Sequence, residues 1–366
     1  MNDHTCKQKP FRVLSLDGGG MRGLYTATLL NHLAYRFTQQ RNCKPLDIGK
    51  GFDLIVGTST GGILACALAK GVPISQISNL YCEQGPQIFT DPMPPKSHYR
   101  KFLGWCFRNR SKASNTNHHL RNALKQIFGD TTLEQLHKTR GIGLCIPSVK
   151  MLKETARVFK TPHNPIKNLD NKYTLADICL ATSAAPIFLP MVALDSPTDD
   201  KGFDVFVDGG LWANNPVLVG LIEALELCND NRPIEILSVG TCATHEGDIY
   251  QRDEVDKGLK DWQVGAKALT TAMNAQASGS NFMATLLATH LTKLGHPIKV
   301  VRLKETAPST DQLKHLRLDL ASTKALDALT ALGNEDGISA FQLCQNLNDP
   351  TGQLLTSIFN SMPELA

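Results

Sequence analysis

Long apolar runs are missing from this 366-residue chain. None reaches the roughly 18 residues that a membrane-crossing helix needs, and the opening Met1 to Pro10 is polar, without a signal-peptide core. The expectation is a cytoplasmic protein whose membrane contact, if it has one, is peripheral and on the inner face. A strong charge of either sign is also missing. Thirty-eight basic residues against 34 acidic ones leave a net charge of +4, too mild for a partner of nucleic-acid polymer. The ten cysteines lack C-x-x-C and metal-type Cys/His spacing, so they read as small buried residues of a reducing compartment, with no disulfide and no metal. What the chain does have is 42% apolar and 20% charged residues, ample material for a packed α/β core.

Strand-like runs alternate with helical patterns, the signature of βαβ units and a mainly parallel sheet. Strands are expected at Phe11 to Leu16, Phe52 to Val56, Ile142 to Pro147, Ala156 to Phe159, Phe203 to Val207, Ile234 to Val239 and Ile298 to Leu303. Helices are expected at Leu175 to Thr182, Pro216 to Leu227, Trp262 to Met273 and Gln312 to Leu332, the last stopping at Gly333. No internal repeat is visible.

Two glycine-rich turns follow the first two strands. Gly57-Thr58-Ser59-Thr60-Gly61 has the form of a nucleophile elbow, which lifts a serine hydroxyl clear of the sheet edge. Asp17-Gly18-Gly19-Gly20-Met21-Arg22-Gly23 presents successive backbone amides unobstructed by side chains, as an oxyanion requires. Gly18, Gly20 and Gly23 also fit the dinucleotide fingerprint. That fingerprint wants an acid at the tip of the second strand, where this chain runs straight into Gly57-Thr58-Ser59, so the Rossmann reading is rejected.

A nucleophilic serine needs a base. Asp208 closes a strand and precedes Gly209-Gly210, where an α/β fold places site residues; it could equally cap a turn before Asn214-Asn215-Pro216. Ser59 could itself be an ordinary turn serine. Histidines are plentiful downstream but none sits in a motif; His245 is the least implausible partner for a Ser-His-Asp triad. From Pro92 to Arg121 the chain has no acid and seven basic residues, among them Arg100, Lys101 and Arg108, interleaved with Tyr99, Phe102, Trp105 and Phe107. This is either an interfacial anchor for anionic lipid or a solvated lid whose aromatics tuck back into the protein.

Taken together, the motifs at Asp17 to Gly23, Gly57 to Gly61 and Asp208 to Gly210, with Ala181-Thr182-Ser183-Ala184-Ala185-Pro186 between them, resemble the patatin-like phospholipases. The resemblance implies a three-layer α/β/α core with a mainly parallel sheet, occupying residues 1–240 with a basic, aromatic insertion at 90–121. Residues 241–366, for which the resemblance offers no counterpart, are expected to form a mostly helical region packed on that core and available for a regulatory role. It further implies a dyad in which Ser59 attacks an acyl ester of a membrane phospholipid and Asp208 takes its proton. Gly18, Gly19 and Gly20, helped by Arg22, would form the oxyanion hole; Gly57 and Gly61 would shape the elbow; no cofactor would be needed. Membrane contact would fall on Arg100, Lys101, Phe102, Trp105 and Arg108. The form Leu14 to Tyr25 resembles, more narrowly, bacterial patatin-like effectors of antiphage defence that a cyclic dinucleotide switches on. Two other readings stand beside this one: a soluble-ester or neutral-lipid hydrolase with a triad, and a non-catalytic lipid-binding module with a vestigial elbow. Nothing in the sequence fixes an oligomeric state.

Overall fold

In the computed structural model, residues 8–95, 98–164, 169–197, 202–228, 232–242, 250–253 and 255–365 are described. The fold starts with β1 (Phe11–Leu16), whose six residues are all buried. A strand covered on both faces is what a near-continuous apolar run demands. Alternate side chains of β1 go to opposite faces: Val13 joins one core, Leu14 and Leu16 the other. The chain continues through α1 (Gly23–Arg41), β2 (Leu54–Gly57), α2 (Thr60–Lys70), α3 (Ile74–Ile88), α4 (Tyr99–Arg108), α5 (His118–Phe128) and α6 (Leu133–Arg140). Next come β3 (Gly143–Lys150), β4 (Thr155–Lys160), α7 (Leu175–Thr182), β5 (Val192–Asp195), β6 (Phe203–Asp208), α8 (Gly210–Ala213), α9 (Val217–Leu227) and β7 (Ile234–Val239). The remainder holds α10 (Ala266–Lys293), β8 (Ile298–Arg302), α11 (Thr310–Leu313), α12 (Thr323–Leu343) and α13 (Pro350–Ser361).

One eight-stranded sheet runs β5-β6-β3-β2-β1-β7-β8, with β4 also paired to β3. The pairs β1/β2, β1/β7, β2/β3 and β7/β8 are parallel; β3/β4, β3/β6 and β5/β6 are antiparallel. Helices cover both faces. The larger core gathers α1, α2, α7, α12 and α13 on one face, and the smaller holds Val217, Leu221 and Ala224 of α9 with Ala284 and Ala288 of α10 on the other. The expected three-layer α/β/α architecture is present. Residues 241–366 supply β8 to this same sheet and lay α12 along α1.

Two helices differ from the sequence expectation. The stretch Gln312 to Leu332 is not one helix: α11 ends at Leu313, and Ser322 starts α12 anew by accepting a hydrogen bond from the Ala325 amide. Gly333 does not stop that helix. It lies where α12 presses on α1, and a Cβ there would sit 2.7 Å from the Tyr25 carbonyl oxygen, so close approach rather than termination explains the glycine. The helix expected at Trp262 to Met273 begins later, at Ala266, because Gln263, Val264 and Gly265 all have positive φ, and it runs on to Lys293. The edge strand β5, four residues long with alternating burial, was not legible at all.

Candidate active site

The parallel strands β1 and β2 end together, and β6, antiparallel to β3, ends with Asp208 opposite Ser148, so both turns and the end of β6 meet at one edge of the sheet. Ser59 sits between β2 and α2 at φ 56°, ψ −123°, a conformation that L residues adopt only under constraint. The constraint is the tightness of the elbow. A Cβ at Gly57 would fall 2.2 Å from the Gly61 carbonyl oxygen, and one at Gly61 would fall 2.4 Å from that of Leu16. The strain aims the hydroxyl. Ser59 Oγ donates to Asp208 Oδ2 at 2.7 Å, and the other carboxylate oxygen of Asp208 accepts from the Gly210 amide at 2.7 Å. Burial pushes the Asp208 carboxyl up to about 6, while its hydrogen bonds from Ser59 and Gly210 hold it down. It is therefore ionised at neutral pH yet far more basic than a solvated aspartate.

The glycine loop divides its labour. Gly18 does not serve the cavity: its amide donates to the Asn214 carbonyl at 2.8 Å, which ties the loop to the segment after Asp208. Gly19 and Gly20 line the cavity beside Ser59 and Thr60. Arg22 lies behind the loop rather than in that cavity. Its Nε approaches the Gly19 carbonyl at 3.5 Å and its Nη1 that of Cys242 at 3.4 Å, and burial lowers the pKa of its guanidinium. Asp17, buried at the end of β1, is held by Arg302 Nη2 at 2.7 Å.

The cavity itself, about 930 Å³ counted out to its open mouth, is walled by Leu80, Ile88, Phe188, Leu189, Met273 and Leu318 among others. No histidine is among the described residues lining it. His245, the partner considered for a triad, lies outside the described residues. Cys145, His163 and Glu223 form a compact group elsewhere, but Lys160 already ion-pairs with Glu223 and His163 bonds Thr161.

The basic, aromatic segment forms α4, and here the expected contact residues must be re-sorted. Phe102 and Trp105 are 4% and 3% exposed and pack with Met93, Phe188 and Ala266 near the cavity mouth. Helical spacing sends them inward together, so they cannot touch a membrane surface. Leu103 and Phe107, 47% and 68% exposed, occupy the outer face with Arg100 and Lys101. Arg108 is exposed but pairs with Asp91 at 2.9 Å.

Several functional contacts had no sequence signal, because they come from remote segments: Arg302 on Asp17, Leu318 and Met273 on the cavity wall. The Ala181–Pro186 motif gave a signal without a role; in the fold, Thr182 Oγ1 accepts the Ser59 amide at 2.9 Å.

A family model for patatin-like phospholipases matches residues 14–221, which contain the glycine loop, Ser59 and Asp208. The chain belongs to the patatin-like phospholipase family. It is a lipid ester hydrolase by that membership. Among relatives, it is 34% identical to a cGAMP-activated phospholipase of Pseudomonas aeruginosa over 74% of this chain and 77% of the relative. It is 31% identical to a cGAMP-activated phospholipase of Vibrio cholerae over 92% of this chain and 93% of the relative. Human GIVD cytosolic phospholipase A2 aligns over 96% of this chain and 60% of its own, at 11% identity and a TM-score of 0.41.

Proposed function

We propose that this protein releases fatty acid from membrane phospholipids through a Ser59–Asp208 dyad, and that a cyclic dinucleotide switches it on. The observation that carries the chemistry is the 2.7 Å hydrogen bond from Ser59 to a buried, raised-pKa Asp208 inside an apolar cavity. Ser59 Oγ attacks the ester carbonyl while Asp208 Oδ2 takes its proton. The tetrahedral oxyanion forms against the amides of Gly19 and Gly20, with Arg22 bracing the loop from behind. Collapse expels the lysophospholipid alkoxide, which receives the proton from Asp208. Water, deprotonated by Asp208 in turn, then hydrolyses the acyl-serine. The apolar walls suit an acyl chain.

The switch rests on the two relatives' cGAMP dependence and on where residues 241–366 lie. This region touches the oxyanion loop directly: Arg302 holds Asp17, and the Leu318 carbonyl accepts the Met21 amide at 2.8 Å. A ligand that shifts this region shifts the loop. These contacts support a regulatory role for residues 241–366.

Docking at the inner membrane face belongs to the outer surface of α4. Leu103 and Phe107 are its apolar wedges, and Arg100, Lys101 and Arg110 face anionic headgroups. The neighbouring stretch at 255–264 extends the surface with exposed Leu259, Trp262 and Val264, and Lys260 stands over the Tyr99 ring at 4.6 Å. Among the described residues no helix is long and apolar enough to cross a membrane.

The deciding experiment measures fatty-acid release from phosphatidylethanolamine/phosphatidylglycerol vesicles by wild type and Ser59→Ala, with cGAMP, c-di-GMP, c-di-AMP or none. Release that needs both Ser59 and cGAMP establishes the gated phospholipase. Release that needs only Ser59 removes the switch. Release from the Ser59→Ala variant overturns the dyad.

A further inference from the structure

The strand-end dyad depends on two side chains that come from turns separated by some 150 residues, so something must fix their separation. The segment Ala181–Ala184 touches both. Asp208 donates its backbone amide to the Ala184 carbonyl at 3.0 Å, and the Gly209 amide reaches the Thr182 carbonyl at 3.3 Å. On the other side, Ser59 donates its amide to Thr182 Oγ1 at 2.9 Å. Thr182 Oγ1 in turn donates to the Pro147 carbonyl of β3 at 2.5 Å, and Ser148 Oγ beside it bridges the Val207 and Ala181 carbonyls at 2.8 and 3.3 Å.

The roles in this relay are forced. A peptide N–H can only donate and a carbonyl can only accept, so the Thr182 hydroxyl must give its proton to Pro147 and turn a lone pair to Ser59. Thr182 is fully buried, and a buried amide such as that of Ser59 needs a protein acceptor. The pairing of β2 with β1 ends at Gly57, and the Thr58 amide already takes the Leu16 carbonyl, so the acceptor for the Ser59 amide comes from elsewhere. The γ-methyl of Thr182 lies 2.9 Å from where a Cβ at Gly62 would stand, so the glycine is what makes room for the threonine beside the elbow. Ser183 and Ala185, next in the same segment, line the cavity.

We propose that Thr182 is a positioning residue for the nucleophile: its hydroxyl pins the Ser59 elbow to the same turn of chain that anchors Asp208, and so sets the Ser59–Asp208 separation. The inference rests on the dyad reading above but concerns a residue that touches neither substrate nor oxyanion.

The test compares Thr182→Val, which keeps the shape without the hydroxyl, with Thr182→Ser, which keeps the hydroxyl without the methyl. Each is assayed beside wild type and Ser59→Ala on p-nitrophenyl butyrate with cGAMP present. Thr182→Val is expected to lose about 10–100-fold in kcat with KM unchanged, as a displaced nucleophile does. Its acidic limb moves to higher pH, because Asp208 loses the hydrogen bond from Ser59 that holds its proton affinity down. Thr182→Ser restores both. Amide hydrogen exchange of the peptide containing Ser59 supplies a readout without turnover: faster in Thr182→Val, as wild type in Thr182→Ser.

Wild-type kcat, pH limb and exchange in Thr182→Val overturn the inference, as does a Thr182→Ser that fails as badly as the valine variant. If Thr182→Val does not fold, Thr182→Cys replaces it, with a weak acceptor in the volume of serine; wild-type turnover and exchange there would equally sink the idea. Turnover that persists in Ser59→Ala would sink the dyad reading, while the exchange comparison, which needs no turnover, still decides the role of Thr182.

Discussion

At the scale of single residues, the chemistry turns on one buried carboxylate. Asp208 rises from 3.8 to about 6 on burial, which predicts that kcat/KM climbs with pH through about 6 and is flat at neutrality; a profile on a soluble ester checks it. Asp208→Asn should lower kcat by about 10³–10⁴ without loss of fold. The same shift has a consequence for stability. A carboxyl whose folded value lies above its unfolded one binds its proton more tightly when folded. Ionising Asp208 therefore destabilises the folded state above about pH 6, and the penalty fades as pH falls towards 4. A shift of this size is worth on the order of 3 kcal/mol. Melting temperatures should then show Asp208→Asn more stable than wild type at pH 8 and equal to it at pH 4. A variant that is dead yet less stable at pH 8 would mean that the carboxylate is a structural prop. Ser59 and Asp208, the proposed nucleophile and base, were legible in the sequence because each sits beside glycines that a sharp turn requires. What was not legible is which residues of the loop line the cavity. Gly18 looks identical to Gly19 in the motif, and only the Asn214 carbonyl, nearly two hundred residues away, distinguishes them.

At the scale of elements, α4 shows how composition can name a property without naming a surface. The sequence marked the segment as basic and aromatic, but two readings remained open, anchor or lid. The helix satisfies parts of each: Phe102 and Trp105 tuck into the protein, while Leu103 and Phe107 stay outside. A helical wheel laid on the segment would have separated them, had its start at Tyr99 been known. Two variants should therefore part company. Phe107→Asp with Leu103→Asp should weaken sedimentation with anionic vesicles while leaving soluble-ester turnover intact. Trp105→Ala should lower the melting temperature, with a loss of about 3–5 kcal/mol typical for a buried aromatic, because it empties the small cluster beneath α4. Vesicle binding unmoved by the double aspartate would place the membrane contact elsewhere. The strands of the parallel core were read nearly to the residue from their apolar runs. The four-residue β5 and the split of α11 from α12 were not, since a short half-exposed strand and a serine cap carry little pattern of their own.

At the scale of the whole molecule, the part of the sequence that carried no motif is the part that closes the sheet and grips the glycine loop beside Ser59. β8 pairs with β7 along Ile298–Arg302, and its last residue reaches across to Asp17, at the root of the oxyanion loop. Tyr25, at the start of α1, donates to Asp336 of α12 at 2.5 Å, so the helix that follows the loop is held from the same side. These partners are distant in sequence, and no local spacing could have announced them. The architecture makes a gating ligand testable without turnover. A ligand that binds only the folded protein at a hundredfold excess over its Kd stabilises it by about 2.7 kcal/mol, so cGAMP should raise the melting temperature of the inactive Ser59→Ala variant by several degrees. Hydrogen exchange across Leu16 to Tyr25 should slow in the same sample, because in the proposed switch the loop is what the ligand reorganises. Arg302→Gln removes the charged link between β8 and the loop; it should keep the thermal shift and lose part of the slowed exchange and of the activation. A thermal shift without any change at the loop would put the switch at the cavity mouth or at the membrane face. The absence of both, with vesicle hydrolysis proceeding unaided, would leave a constitutive lipase whose C-terminal region serves only to complete the sheet.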